Sequence, residues 1–560
     1  MTDYLPTTLP YVPKVSFWTP QQRDTFDASH DKQLFAIFHE PRCGKSKIIV
    51  DTCAVNRWGH GFSISAALII AWPNGAHGGW VYDAFPESYP YGWQGTVWDA
   101  DVSGTKKWRR QFDETLSHPG FAVLAIGADS LGSDRCRKDI GEFLSRRKQA
   151  MAVADESDFM VEENARRSRT MHNIAHGPTS KFVKMKRILT GTPCDRAGPL
   201  DFYSQVGFLS FDILGYANPV EYAKHYAQLR VGGRTTFWAR VKQQDPKLTR
   251  EEAIERAKGW STGGKLPRGR DFWTEVVEQD GAPQFRNMDE FWKRLGPYVS
   301  RATYADCFPD AKRPEFVKRQ VELTDKQREV YDGLALSFRA ELIDGSEVKV
   351  EHHLTRLLRL QQVTTNYWPE RNNLALHEKC GGMGCEACED SGVVEDNLPA
   401  VLIDETDPRM DAVMDEVMEG VPTIVWSRFR HGVDAIVGRC VAAGVKACAY
   451  DGRVSRADKL ENRLGFQSGK YDVIVCNQAA ASRALPLFRA EKHVFASNVF
   501  SFRTRKQAEE RAEHGRKSVA TRVIDIVARG TVDDLALLPA LRAGMDVASY
   551  VMKDKKRSWL

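Results

Sequence analysis

Two short groups of residues in the first third of the chain suit the chemistry of nucleoside triphosphates. Gly44, Lys45 and Ser46 follow the apolar segment LFAIF and precede KIIVDTCAV, whose pattern is compatible with a helix. In a strand, turn and helix of this kind, main-chain N–H groups cradle phosphates, the lysine reaches the β and γ oxygens, and the serine hydroxyl ligates Mg²⁺. Taken alone, the same residues could form an ordinary helix-capping turn.

A pair of carboxylates supplies the second part of this chemistry. Asp155 and Glu156 follow the apolar run AMAVA, so we expect them at the end of a strand. There Asp155 would hold Mg²⁺, and Glu156 would polarise the water that attacks the γ-phosphate. A solvated acidic loop is the alternative, and the upstream GKS sequence favours the catalytic interpretation.

The segment HEPRCGKS, called the GKS turn below (residues 39–46), departs from the usual phosphate-binding pattern. His39 stands where a glycine is expected five residues before Gly44. Arg42 and Cys43 occupy positions where small residues are usual. The lysine and the serine are nevertheless present.

Two α/β series must position these residues. Short apolar runs alternate with helix-like stretches, which predicts parallel sheets. In the first series the predicted strands are Leu34–Phe38, Ala67–Ala71, Ala122–Ile126, Ala150–Ala154 and Arg187–Thr190. In the second they are Thr423–Trp426, Val445–Tyr450, Asp472–Cys476, His493–Ala496 and Arg522–Val527.

The composition is that of a folded globular chain. Its 560 residues are 42% hydrophobic and 27% charged, which excludes a collagen-like or largely disordered protein. The net charge of +5 is only a faint sign of an anionic partner. The N-terminal sequence lacks the basic segment and apolar core of a signal peptide. No apolar run is long enough to span a bilayer. We therefore expect no membrane association and a cytoplasmic location.

The order of the motifs resembles that of superfamily-two helicases and translocases, most closely the Snf-type branch. The strongest match is Ile188-Leu189-Thr190-Gly191-Thr192-Pro193, continued by LDFYSQ at residues 200–205. In this family such a segment couples hydrolysis to movement between two lobes. The resemblance therefore implies that Thr190, Gly191 and Thr192 are coupling residues.

The resemblance also implies roles for residues outside these segments. TPQQ at residues 19–22 is similar to the family's adenine-reading segment, with Gln22 as the base contact. Trp80 follows a strand and turn similar to the motif that touches the nucleic-acid backbone. QAEER at residues 507–511 resembles the motif that supplies the arginine finger, here Arg511.

Two later motifs depart from the family pattern. A glycine-rich motif is replaced by AAASRALPL at residues 479–487, and the second arginine of the finger motif falls on His514. Arg516 could substitute for that arginine if the local turn shifts. These changes affect the expected rate of turnover and its coupling to movement.

Basic and aromatic residues are candidates for a nucleic-acid surface. In the segment after residue 211, cations surround an aromatic ring, as in stacking surfaces; these residues are Arg234, Trp238 and Arg240. A basic run just before Thr190 offers further phosphate contacts, namely Lys181, Lys184, Lys186 and Arg187. Solvated charge is the alternative for each of them.

A glycine-rich segment at residues 377–388 could bind one structural zinc ion. Three thiols and an imidazole within twelve residues would complete a tetrahedral shell; they are His377, Cys380, Cys385 and Cys388. The alternative is a loop with unligated thiols.

These features predict an α/β protein with two RecA-like parallel-sheet lobes, a helical insertion and a small zinc loop. The predicted segments are an N-terminal ATPase lobe (1–210), a basic and aromatic helical insertion (211–320), a helical bridge (321–407), a C-terminal helicase lobe (408–545) and a basic tail (546–560).

The predicted function is an ATP- and Mg²⁺-dependent motor that moves along nucleic acid, with duplex DNA favoured over strand separation. One alternative is an ATP-binding DNA clamp or scaffold with weak turnover. Another is the motor subunit of a restriction or repair complex. A compact motor of this kind also fits a viral protein acting in its host cell.

Overall fold

The computed structural model describes residues 11–57, 62–71, 76–162, 165–194, 198–230, 275–276, 278–279, 282–343, 350–369, 375–376, 393–394, 400–478, 487–512, 519–545 and 547. The chain divides into two compact units, Met1–Pro309 and Asp310–Leu560. Each contains a parallel sheet, which confirms the predicted fold class of two RecA-like lobes.

The first unit is built on a seven-stranded sheet with the order β7-β1-β6-β5-β2-β4-β3, and all of its strand pairs are parallel. Its strands are β1 (Leu34–His39), β2 (Ala66–Ala71), β3 (Trp93–Trp98), β4 (Phe121–Gly127), β5 (Ala150–Asp155), β6 (Val183–Leu189) and β7 (Val299–Ala302). Successive side chains of a strand face opposite sides of the sheet. Phe38 thus enters one hydrophobic core and Ile37 the other. Two covered faces explain why β2 and β4 are continuous apolar runs.

Helices cover both faces of this sheet. The principal ones are α1 (Pro20–Ser29), α2 (Lys45–Asn56), α3 (Lys106–Ser117), α4 (Asp134–Arg147), α5 (Arg166–His176), α6 (Phe202–Leu209), α7 (Pro219–Tyr226), α8 (Met288–Leu295) and the short α9 (Tyr304–Cys307). The last three lie in the predicted insertion, and Phe291 of α8 packs into the same core as Phe202 of α6.

Two strands of this sheet, β3 and β7, are not predicted from the apolar runs of the sequence. The strand β7 lies within the predicted insertion (211–320) and pairs with β1, so that Ala302 lies opposite His39. It has only four residues, VSRA, and only Ala302 is buried. Such a short edge strand has too weak a hydrophobic pattern to be recognised before its partner is known.

The second unit is built on a six-stranded sheet with the order β8-β13-β12-β9-β11-β10, again with parallel pairs. Its strands are β8 (Glu315–Val321), β9 (Thr423–Ser427), β10 (Ala447–Tyr450), β11 (Val473–Asn477), β12 (Lys492–Phe495) and β13 (Arg522–Ala528). Its principal helices are α10 (Asp325–Ile343), α11 (Val350–Thr364), α12 (Pro408–Val417), α13 (Arg430–Ala442), α14 (Arg456–Ser468) and α15 (Phe502–Glu509).

The predicted zinc ligands at residues 377–388 lie outside the described residues. Among the residues that are described, no group of three or more His, Cys, Asp or Glu side chains could hold a metal ion. Within the same part of the chain, no helix is long and apolar enough to cross a membrane.

Candidate nucleotide-binding and hydrolysis site

The GKS turn connects the end of β1 to the start of α2. Arg42 and Gly44 both adopt left-handed backbone conformations, with φ of 69° and 77°. The helix begins at Lys45, so the first N–H groups of α2, which have no intrahelical partner, lie beside the turn. The buried Lys45 side chain folds back over the turn, and its Nζ donates to the His39 carbonyl at 2.9 Å. The turn therefore gathers positive charge and main-chain donors in one place.

Gln22 fixes this turn from α1. Its Nε2 donates to the Cys43 carbonyl at 3.3 Å, while its Oε1 accepts from the Trp18 N–H at 2.6 Å. A Cβ on Gly44 would lie 1.6 Å from Gln22 Nε2, so the position requires glycine for its packing as well as for its φ. In this arrangement the amide of Gln22 holds the turn, and its predicted contact with a base stays a prediction.

His39, which replaces the expected glycine, is accommodated by contacts with α1 and β7. Its Nε2 lies 3.1 Å from Thr25 Oγ1 and 3.0 Å from Ser300 Oγ. Burial, and then the nearby Lys45 ammonium, lower the pKa of His39 to about 4. The ring is therefore neutral at physiological pH and links β1 to α1 and β7.

The carboxylate pair and the TGT segment (Thr190–Thr192) reach the same edge of the sheet as the GKS turn. The strands β1, β6 and β5 are neighbours, and Leu189 of β6 lies opposite both Ile37 and Asp155. In parallel sheets the carboxyl ends of adjacent strands form the usual ligand site. The GKS turn, the TGT segment and the carboxylate pair are far apart in sequence. Each nevertheless lies at the carboxyl end of one of three adjacent strands, β1, β6 and β5.

Asp155 is held by Trp80. The indole Nε1 donates to Asp155 Oδ2 at 2.9 Å, and the Trp80 side chain is only 2% exposed. This position differs from the predicted contact of Trp80 with a nucleic-acid backbone. Trp80 is the first residue of the π-helical turn Trp80–Ala84, and its indole is directed to the carboxylate.

The electrostatics of Asp155 suit a cation site. Desolvation at the sheet edge, and then the adjacent Glu156, raise the pKa of Asp155 to about 6, although Lys45 acts in the opposite direction. Two carboxylates this close repel each other in their ionised forms. A divalent cation between this group and a phosphate would remove that repulsion and favour the ionised form.

Glu156 makes a direct contact with the TGT segment. The Thr190 Oγ1 donates to Glu156 Oε2 at 3.3 Å, and the same Oγ1 accepts from the Thr192 N–H at 3.0 Å. Glu156 itself has a left-handed backbone with φ of 53°, which turns the chain sharply after Asp155. The predicted coupling segment therefore contacts the predicted general base.

The TGT segment also packs against the GKS turn. A Cβ on Gly191 would lie 2.7 Å from Pro41 Cδ and 3.2 Å from the Pro41 main-chain nitrogen. Only glycine allows the two segments to approach this closely. The TGT segment and the GKS turn are therefore in direct contact at Gly191 and Pro41.

Gln205, the last residue of the LDFYSQ segment, links the carboxylate pair to the TGT segment. Its Oε1 accepts from Ser157 Oγ at 2.7 Å, and its Nε2 donates to the Pro193 carbonyl at 2.6 Å. The Gln205 side chain is fully buried. It ties the residue after Glu156 to the residue after Thr192.

The residues of this site fit ATP and Mg²⁺. The Gln22 amide, and not open space, occupies the position that a Cβ on Gly44 would take. Lys45 and the start of α2 provide the donors that phosphates need. Ser46 and Asp155 offer the hard oxygen ligands that Mg²⁺ prefers. Ser46 is partly exposed on the first turn of α2.

Arg511, the predicted arginine finger, lies in the second unit just after α15. Its side chain is buried, and its Nε donates to the Gln507 carbonyl at 2.7 Å. The helix is anchored by Arg505, which pairs with the buried Asp525 of β13 at 2.5 Å. His514 and Arg516 lie outside the described residues.

The basic run before Thr190 divides into exposed and buried members. Lys181 and Lys184 are exposed. Lys186 is buried and donates to main-chain carbonyls, and Arg187 is fully buried with Nη2 donating to the Lys32 carbonyl at 2.7 Å. Burial lowers the pKa of Lys186 to about 8 and that of Arg187 to about 9. Lys186 and Arg187 therefore stabilise the fold through main-chain hydrogen bonds. Because both are buried, they are not placed to contact a phosphate backbone, which differs from the prediction.

The predicted stacking residues Arg234, Trp238 and Arg240 lie outside the described residues, as does most of the motif at residues 479–487.

No family model and no curated protein match this sequence. The solved structures that are similar to the chain include two forms of one ATPase core. One is the SWI2/SNF2 ATPase core of Sulfolobus solfataricus in complex with dsDNA, at 15% identity and a TM-score of 0.35, covering 99% of each chain. The other is the SWI2/SNF2 ATPase core domain of the same organism, at 16% identity and a TM-score of 0.35, covering 98% of this chain and 93% of that one. At these identities the likeness concerns the fold, and the chemistry of the site has to be inferred from its own residues.

Proposed function

We propose that this chain is an ATP-dependent DNA translocase that hydrolyses ATP at the edge of the first sheet and moves along duplex DNA. The observation that carries the proposal is the double contact of the TGT segment. Thr190 contacts Glu156, and Gly191 packs against Pro41 of the GKS turn. A segment joined to both the phosphate-binding turn and the general base can report the state of the nucleotide.

Each residue of the site would perform one step. Lys45 and the N–H groups at the start of α2 bind the β- and γ-phosphates and neutralise charge that develops on them. Mg²⁺, held by Ser46 and Asp155, would supply further charge neutralisation at the same oxygens. Glu156 accepts a hydrogen bond from the attacking water and orients it, while Trp80 and Thr190 fix the two carboxylates.

Two parts of the proposal rest on the motif resemblance. Arg511 of the second unit would stabilise the γ-phosphate in the transition state. The Snf-type order of motifs supports duplex DNA as the track, with binding directed mainly at the phosphate backbone and therefore weakened by salt.

Phosphate release by the purified chain tests hydrolysis. We expect release to increase with duplex DNA more than with single-stranded DNA, and Glu156→Gln to abolish it while ATP still binds. Glu162→Gln is the matched control, because it makes the same chemical change at an exposed position of the same segment. Unchanged release with DNA and in Glu156→Gln would contradict the proposal and leave an ATP-binding clamp.

Movement needs a separate measurement. A translocase should displace a third strand from a DNA triplex in an ATP-dependent reaction, and Glu156→Gln should not. ATP hydrolysis without displacement would show that turnover is not coupled to motion, which would contradict the translocase part alone.

A further inference from the structure

Two cysteines, Cys43 of the GKS turn and Cys307 of α9, are buried next to each other. Cys43 and Cys307 are buried together with Ala302 in a small cluster, flanked by Tyr304 and Phe308. They are far apart in sequence and are brought together because β7 pairs with β1. The chain that leads into α9 then stays beside the turn, since the Glu40 N–H donates to the Ala302 carbonyl at 2.9 Å.

A second contact holds α9 in this place. The Tyr304 N–H donates to Glu40 Oε2 at 2.7 Å, and Thr303 caps the helix together with Asp306. Cys307 is the last residue of this capped helix. The Cys307 thiol therefore lies at the end of α9, and these contacts hold α9 beside the GKS turn.

The two thiols interact and differ in character. The hydrogen bond from Cys43, with a further one from the Thr19 hydroxyl, lowers the pKa of Cys307 below its ordinary value despite burial. The same thiol contact, together with burial, raises the pKa of Cys43. Cys307 is 5% exposed and Cys43 is fully buried. A small oxidant would therefore react first at the Cys307 thiolate.

Cys43 occupies a sensitive position of the turn. It lies between the left-handed residues Arg42 and Gly44, and its carbonyl accepts from Gln22 Nε2. A covalent bond at its Sγ would fix this part of the main chain to α9. A misplacement of about 1 Å at a reacting centre can cost about 100-fold in rate.

We propose that Cys43 and Cys307 form a reversible disulfide that switches off the nucleotide site under oxidising conditions. Hydrogen peroxide is the oxidant class. The Cys307 thiolate attacks one peroxide oxygen, the O–O bond breaks, and hydroxide leaves to give a sulfenic acid. The Cys43 sulfur then attacks the Cys307 sulfur, the S–O bond breaks and water leaves, so that two thiols and one peroxide give one disulfide and two waters. A dithiol reductant restores both thiols.

The test uses the full chain treated with hydrogen peroxide, then digested without reduction and mapped by mass spectrometry. We expect a linked peptide pair that contains Cys43 and Cys307. The effect on ATP hydrolysis rests on the proposed function, but the linkage is measured independently of it. If the reduced chain hydrolyses no ATP, the proposed function is contradicted. The peptide map then still decides whether the two cysteines form a disulfide.

Three variants separate the thiol pair from other oxidation. Cys307→Ser and Cys307→Ala should both keep the ATP hydrolysis rate of the reduced chain and lose its sensitivity to peroxide. Cys194→Ser is the matched control, because Cys194 is exposed and follows the TGT segment. This variant should still lose activity with peroxide and regain it with dithiothreitol.

Two outcomes would overturn the switch. One is the absence of the Cys43–Cys307 peptide when Cys194 has been oxidised in the same sample. The other is a linked pair with an unchanged rate of ATP hydrolysis.

Discussion

The hydroxyl of Thr190 donates a hydrogen bond to the carboxylate of Glu156, with 3.3 Å between the two oxygens. Thr190 follows β6 and Glu156 follows β5, and these strands are neighbours in the sheet. The contact joins the segment expected to sense the nucleotide with the group expected to activate water.

Thr190→Val should slow ATP hydrolysis while leaving ATP affinity nearly unchanged. Valine keeps the shape of threonine but cannot donate to Glu156. A hydrogen bond to a charged group contributes about 1.5 to 3 kcal/mol, so we expect kcat to fall roughly 10- to 160-fold. Steady-state kinetics together with a fluorescent-nucleotide binding assay would measure this. Thr190→Ser keeps the hydroxyl and should retain most of the activity; equal losses in both variants would contradict a role for the hydrogen bond.

Trp80→Phe should raise the Mg²⁺ concentration that gives half-maximal ATP hydrolysis. Phenylalanine keeps a buried ring but removes the N–H that orients Asp155. Loss of a group that orients a metal ligand typically costs about 10- to 100-fold in metal affinity or activity. A magnesium titration of the hydrolysis rate would measure the shift.

The matched control for Trp80 is Trp98→Phe. Trp98 Nε1 donates to Asp139 Oδ2 at 2.8 Å, which is the same type of contact on β3 at the far edge of the sheet. This variant should lose some thermal stability without changing the magnesium dependence. A shift of equal size in both variants would mean that Trp80 acts only through stability.

Gly191→Ala should impair both ATP binding and hydrolysis. The added Cβ would meet Pro41 at 2.7 Å and force the TGT segment away from the GKS turn. Gly141→Ala is the control, because a Cβ in the middle of α4 meets nothing within 4 Å. Alanine there should stabilise the helix by about 0.5 to 1 kcal/mol without an effect on ATP. Thermal unfolding and nucleotide titration of both variants would separate the outcomes, and normal ATP binding by Gly191→Ala would contradict the close approach.

His39 should make the first unit less stable in mild acid. Its pKa is about 4 in the folded chain, against an ordinary value of 6.5. Between pH 6.5 and pH 4 the His39 imidazole is protonated in the unfolded chain but neutral in the folded chain. The contribution of His39 to the free energy of unfolding is therefore greatest above pH 6.5 and decreases as the pH falls towards 4. This difference corresponds to roughly 3 kcal/mol. Chemical unfolding between pH 7 and pH 4.5 should show a shallower slope for His39→Gln than for the unmodified chain, and parallel curves would refute the assignment.

The local parts of the site could be predicted from the sequence. The GKS turn lies within eight consecutive residues, and its strand and helix follow from the apolar runs on either side. Buried parallel strands such as β2 and β5 are also continuous apolar segments, because both faces of the sheet are covered. Their positions, and the placement of Asp155 at a strand end, needed no knowledge of the partners.

The tertiary structure decided what each side chain contacts. The sequence shows Trp80, Lys186 and Arg187 only as an aromatic and two cations, which predicts a nucleic-acid surface. Burial of all three depends on how the chain folds back over the sheet. Contacts such as Thr190 with Glu156, and Cys43 with Cys307, depend on strand order, because adjacency in a parallel sheet does not follow adjacency in sequence.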